Sequence, residues 1–379
     1  MGRNRTVPPA KFLIHWFSSG EPMTERSPHA RRLVPAYVLP LAALALACFV
    51  ALTAPAGGAD SAPARFEFSQ PHMGTLFRLV LYARTETEAR EAAGAAFARI
   101  AALDAKLSDY RRDSELARLC GAAGSGPVRV SEDLFRVLAL AKEWGERTGG
   151  AFDVTAGPVV RLWRRARRQG ELPDAAGLAR ARHVLGIGKL RLDAATRSAT
   201  LETPGMLLDL GGIAKGFAAD EALAVLAARG VSSALVAAGG DVAASDAPPG
   251  RDAWEVAVSP RGPRAEPTQV LRLRNAAVST SGDAEQFVEI GGRRYSHIID
   301  PRSGLAVTGR FSVSVVAPRG ALSDLLATAA SVLGPERGME LVGAVPGTAA
   351  FFTEARAGGD HTYPSSSWGD LVGARASLR

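Results

Sequence analysis

Asp324 and Thr328 stand four residues apart in ALSDLLATAASVLG (Ala321–Gly334), a stretch that is otherwise almost wholly apolar. On a helix this spacing stacks a carboxylate and a hydroxyl on one face. Two oxygens so placed suit a hard cation such as Mg2+, which takes few protein oxygens and keeps phosphate oxygens for the rest. The pair also has a purely structural reading, with Asp324 capping the helix start and Thr328 bonding back to a carbonyl.

Three other spots carry possible chemistry. In LLDLGGIAKGFAAD (Leu207–Asp220) an apolar strand ends at Asp209, two glycines follow, and a helix begins that carries Lys215. A strand, a glycine turn and a helix start bring free N–H groups to one point, which suits an anion. The spacings of the P-loop and of GxGxxG are absent. In AAGGDVAAS (Ala237–Ser245), Gly239–Gly240 allow positive φ or close backbone approach, and an ordinary hairpin turn explains them as well. In YSHIIDPRSG (Tyr295–Gly304), His297 precedes two isoleucines and an Asp-Pro turn. A lone histidine there reads as a core residue or as a catalyst.

The elements around these spots are legible from periodicity. Phe66–Ala83 reads as two short strands around a turn at Pro71–Gly74. Thr85–Leu107 reads as an amphipathic helix, capped by Thr85, with Ala93, Phe97, Ile100, Leu103 and Leu107 as its stripe. Ser131 caps a further helix that Gly149–Gly150 end. Arg161–His183 is densely basic and has one aromatic, Trp163. That run reads as a solvated helix with arginine stems over apolar surface, against the alternative of a phosphate- or nucleic-acid-binding face. Long helices interspersed with hairpins, without a βαβ repeat, predict an α+β fold with a largely antiparallel sheet.

The chain has 379 residues, 47% hydrophobic and 22% charged, which excludes a disordered protein and allows one large domain. Its net charge of +7 is concentrated at the start: residues 1–65 hold seven basic and three acidic residues, so the basicity says little about nucleic acid. Arg31–Arg32, an apolar run from Leu33 to Thr53, and APAGGA have the layout of a secretory signal, with an uncleaved membrane anchor as the alternative. Met23 is a candidate start. Cys48 lies in a poor lipobox, LALAC, and Cys120 reads as a packing residue. Residues 1–65 are thus expected to be leader and linker, 66–357 the domain, and 358–379 a loosely held polar tail.

Taken together and in order, MGTLFRLVLYA, LSDYRRDSEL, GGAFDVTAGPVVRLW, LLDLGGIAKGFAAD, LVAAGGDV, VSTSGDAEQF, HIIDPRSG and SDLLATAASVLG resemble the FAD:protein FMN transferases, the ApbE-like flavin transferases formerly labelled thiamine-biosynthesis lipoproteins. The resemblance implies a single compact domain that binds FAD with Mg2+. It implies transfer of FMN to a Thr or Ser hydroxyl of an extracytoplasmic redox protein, with release of AMP, at the periplasmic side of a membrane. An FAD pyrophosphatase and a non-catalytic flavin-binding maturation factor are the alternatives. By the same resemblance Met73 and Tyr110 pack on the flavin or adenine, and Ala151, Phe152 and Asp153 line the FAD site. Asp209 and Lys215 contact FAD, and His297 and Ile298 sit by the diphosphate or flavin. The Gly212 carbonyl, Asp324 and Thr328 hold the metal, and Asp324, His297 and Asp283 are the candidate bases. Departures from the family pattern are Ala284 after SGD, where an aromatic is common, and Ala237, where Asn is common.

Overall fold

Alternating apolar residues and a two-residue turn build the first hairpin, β1 (Ala64–His72) and β2 (Thr75–Ala83). Met73 and Gly74 both take positive φ, the turn whose twist matches that of the strands it joins. This computed structural model describes residues 62–259, 269–284 and 286–372. The export signal, Cys48 and the candidate start lie outside the described residues. Next come α1 (Glu86–Leu107), α2 (Glu115–Gly121), β3 (Val128–Arg129), α3 (Glu132–Arg147), α4 (Gly157–Gln169) and α5 (Ala175–Val184). The chain continues through β4 (Leu190–Asp193), β5 (Ser198–Leu201), α6 (Ala214–Ala228), β6 (Ala234–Ala238), β7 (Asp241–Ala244), β8 (Trp254–Val258) and β9 (Gln269–Leu273). It closes with β10 (Ala276–Gly282), β11 (Phe287–Ile290), β12 (Arg293–Asp300), β13 (Leu305–Thr308), β14 (Phe311–Ala317), α7 (Gly320–Gly343), β15 (Ala349–Arg356) and β16 (Gly359–Pro364).

Eight strands form one antiparallel sheet in the order β1-β2-β6-β7-β10-β14-β15-β16. Its side chains alternate between two cores, as strand period requires. On β6, Ala234, Val236 and Ala238 join the core shared with α1, α6 and α7, while Leu235 and Ala237 face a second core under Trp254 and Trp368. Helix α1 has the expected stripe, and its capping box pairs Thr85 with Glu88. In α7, Gly334 breaks the helical conformation ahead of Pro335, so the stretch that carries Asp324 and Thr328 ends where the sequence places it. Among the described residues no helix is long and apolar enough to cross a membrane.

Two local expectations are corrected. Leu207–Leu210 joins no sheet. It runs beside the loop before α4, with one parallel bridge from Leu207 to Ala156 and a 2.8 Å bond from the Asp209 N–H to the Val154 carbonyl. Leu208 and Leu210 are apolar because the core buries them, not because a ladder does. The segment expected to be a loose tail instead forms β16, paired along its length with β15. Beyond it Trp368 is buried and donates its Nε1–H to Gln269 Oε1 at 2.7 Å. A polar strand is stable at an edge, where one side meets the ladder and the other meets water. Residues 373–379 lie outside the described residues.

Candidate active site

Two helices crossing backbone to backbone place the oxygen pair. A Cβ added at Gly216 on α6 would lie 2.1 Å from the carbonyl oxygen of Gly320, the first residue of α7. Helix α7 has no side-chain cap of its own. Asp220 of α6 supplies one, accepting from the N–H groups of Gly320 at 2.7 Å and Ala321 at 3.0 Å. One turn on, Asp324 Oδ2 accepts from the Gly216 N–H and the Lys215 ammonium, both at 3.3 Å. Lys215 also meets Asp241 at 3.0 Å, at the start of β7, and the Gly211 carbonyl at 3.1 Å. A Cβ at Gly212 would come within 2.8 Å of Thr328 Oγ1, so only glycine lets that loop lie against the threonine.

Electrostatics tie these groups together. Burial, and then the neighbouring Asp241 charge, push the Asp324 carboxyl well above the usual range, with Lys215 opposing. Burial works against the Lys215 ammonium, but Asp241 and Asp324 outweigh it and hold it above its ordinary value. Among the described residues no group of three or more His, Cys, Asp or Glu is placed to hold a metal. Asp324 and Thr328 line the same cavity, with Gly212 packed against Thr328, so a carboxylate and an alcohol, both hard oxygens, stand there beside a glycine loop.

This cluster forms part of the lining of a cavity of about 670 Å³. Every residue expected at the site lines it except Asp283. Tyr110 is 71% exposed, with the Arg164 guanidinium 4.5 Å from its ring centre, an open platform for a planar group. Phe152 and Ala151 are buried in its wall. The Asp153 carboxylate is turned into its own loop, accepting from the Thr155 N–H at 2.8 Å, the Thr155 hydroxyl at 2.7 Å and the Ile187 N–H at 3.0 Å. Its role in the wall is therefore to shape the loop. Atoms of the cleft wall crowding the ring, and then the Arg167 guanidinium, push the His297 imidazole below its usual range, although the residue is open to water on one side and so keeps part of its hydration. Asp283, expected as a candidate base, stands apart. It is buried, bonded to Arg294, and accepts from the Phe311 N–H at 2.9 Å, which fixes β14 beside the β11–β12 hairpin.

Residues 73–352 match the ApbE family. This chain belongs to that family. A FAD:protein FMN transferase of Treponema pallidum (strain Nichols) is 38% identical over 304 residues, 76% of this chain and 84% of that protein. One of Klebsiella pneumoniae (strain 342) is 31% identical over 276 residues, 71% of this chain and 79% of that protein. The apo structure of the Pseudomonas stutzeri flavinyl transferase ApbE is similar, with a TM-score of 0.73 at 30% identity over 83% of this chain and 98% of that one. The flavin transferase ApbE from Vibrio cholerae gives 0.73 at 28% identity over 82% and 99%.

Within this ApbE-family cleft, sequence reasoning missed Arg164, Arg167, Asp109 and Asp241. Arg164 bridges two elements, binding Asp109 after α1 and Asp209 at 2.7 Å. Trp163 anchors its helix by donating Nε1–H to the Gly304 carbonyl at 2.9 Å. The dense basic run is thus only partly solvated. Val160, Trp163, Arg164 and Arg167 fall at helical spacing and all line the cavity, so the periodicity within the run carried the signal.

Proposed function

We propose that this chain transfers FMN from FAD to a hydroxyl of an acceptor protein, in a reaction that uses a divalent cation such as Mg2+. The observation that carries this reading is the convergence of Gly212, Asp324 and Thr328, from a loop and a helix, in a large cleft of a chain related to FAD:protein FMN transferases. Charge supports the cation. Six aspartates and only three cations line the cleft, and FAD brings two more negative charges. A divalent ion held by Asp324, Thr328 and the Gly212 carbonyl would offset phosphate charge as the anhydride opens.

The chain's own residues do the rest. The acceptor hydroxyl gives its proton to a base that faces the cleft, its oxygen bonds to the FMN phosphorus, the P–O–P bridge breaks, and AMP leaves with the electron pair. Lys215 holds Asp324 and Asp241 in place, and Tyr110 and Met73 offer surface to a flat ring. Of the groups expected as bases, His297 and Asp324 face the cleft and Asp283 does not. The acceptor we propose is a redox protein with a Thr or Ser site, outside the cytoplasm, which fits the leader's secretory layout and leaves a membrane tether open through that leader. The non-catalytic alternative drew on Ala237 and Ala284. Ala237 faces the second core, away from the cleft, so only Ala284 touches the site.

The test combines the purified protein, FAD, Mg2+ and an acceptor domain, with mass spectrometry of the acceptor. We expect covalent FMN and one AMP per adduct, and loss of both with Asp324→Ala in a domain whose circular dichroism is unchanged. FMN released as fast without acceptor would point to hydrolysis instead. Undiminished transfer by Asp324→Ala would sink the assignment.

A further inference from the structure

The three cations of the cleft are not alike. Arg164 is answered by Asp109 and Asp209, and Lys215 by Asp241 and Asp324. Arg167, one turn beyond Trp163 on the same face of α4, meets no carboxylate among the described residues. Its Nη1 donates to the amide oxygen of Gln286 at 3.1 Å, a neutral group. The side chain is half-buried, and burial pushes its guanidinium below the ordinary value while leaving it charged. A half-buried cation with no counter-ion among the described residues is unfavourable, and an anionic ligand would relieve it.

The surroundings say which part of a ligand that is. Arg167 is the strongest charge acting on His297, followed by Lys215 and Arg164, so the positive field of the cleft gathers at that histidine. Gln286 is bound to Arg167 through its side chain, and its carbonyl lies 3.2 Å from His297 Nδ1, which holds the two residues in one patch of wall. A guanidinium offers parallel donors matched to phosphate oxygens. We propose that Arg167 is a substrate-binding residue that takes a phosphate oxygen of the dinucleotide. This rests on the FMN-transfer reading and adds the group that receives the diphosphate from the α4 side.

The experiment measures equilibrium binding of FAD, ADP and riboflavin to the whole chain by calorimetry, for the wild type, Arg167→Gln, Arg167→Lys and Arg165→Gln. Arg165 lies on the exposed side of α4, bonded to Gln169, and serves as the control. Loss of a charge-assisted contact predicts about 10- to 100-fold weaker binding of FAD and ADP by Arg167→Gln. Riboflavin, which has no phosphate, keeps its affinity. Arg167→Lys, which keeps the charge without the fork, falls between, and Arg165→Gln matches the wild type. Unchanged FAD and ADP binding by Arg167→Gln overturns the proposal. So does an equal loss for riboflavin, which would mean packing. A wild type that binds no FAD at all would instead refute the FMN-transfer reading.

Discussion

Replacing Gly216 by alanine sets two physical effects against each other, and the structure says which wins. Alanine is the better helix former, by about 1 kcal/mol. At Gly216, however, the new Cβ would lie 2.1 Å from the Gly320 carbonyl oxygen, 2.4 Å from its carbon and 2.8 Å from the Ala321 nitrogen. All three are backbone, so no rotamer change relieves the contact, and α7 must move by about 1 Å to reach ordinary separation. Overpacking of this kind costs about 1–3 kcal/mol. The movement also stretches the two bonds by which Asp220 caps α7, which are worth a further 1–2 kcal/mol or so. After the propensity gain, the net loss is about 1–4 kcal/mol, or roughly 2–8 °C in Tm at about 2 °C per kcal/mol for a domain of this size. Gly94 on α1 is the internal control. It is exposed, and a Cβ there meets nothing within 4 Å, so Gly94→Ala should raise Tm by roughly 2 °C. Differential scanning calorimetry of both variants decides the matter. If Gly216→Ala melts with or above the wild type, the helix crossing described above is wrong.

Asp220→Ala should remove the borrowed cap, lowering stability by about 1–2 kcal/mol in urea titrations. It should also raise the Mn2+ concentration that half-saturates the site, read by electron paramagnetic resonance. A stability loss with unaltered Mn2+ binding would show that the cap does not position Asp324. Asp133 is held down to about 2 by Arg99, with Lys106 adding to it. Because its folded value is depressed, its stabilising contribution is complete above its unfolded value near 4 and is lost as pH falls toward 2. Asp133→Asn should therefore be less stable than the wild type at pH 7, and the gap should close between about pH 4 and 2. An equal gap at pH 7 and pH 3 would mean that lost packing, and not charge, sets the deficit.

Legibility in the sequence followed how local each signal was. Thr85 and Glu88 define a helix start within one turn, and the α1 stripe from Ala93 to Leu107 repeats for about four turns, so that element needed nothing else. The oxygen pair of α7 was legible because Asp324 and Thr328 interrupt an apolar stretch at a spacing that only a helix makes meaningful. Leu207–Leu210 misled because burial by helices and burial in a ladder both select leucine. Asp283 misled because its partners, Arg294 and the Phe311 N–H, come from other elements. Arg164 and Arg167 were hidden by their neighbours. Six arginines between Arg161 and Arg180 read as solvated surface, and only the docking of Trp163 on Gly304 fixes which of them turn inward.

That docking also bears on how labour divides among the cations. Lys215 occupies the glycine turn where an anion would be expected, yet it is tied to Asp241 and Asp324. Withdrawing it to reach a phosphate would leave two buried carboxylates unpaired, a penalty of several kcal/mol that a single phosphate contact does not offset. Lys215 is thus better suited to hold the carboxylates than to release them. Arg164 is constrained in the same way by Asp109 and Asp209. On the two proposals made here, the positive charge still available to an incoming diphosphate would come from a cation held by Asp324 and Thr328 and from Arg167. An acidic cavity can accept an acidic substrate on these terms, because four of its six carboxylates are matched to Arg164 and Lys215 and the other two, Asp104 and Asp153, accept from backbone N–H groups, so the substrate meets the positive charge that is left over.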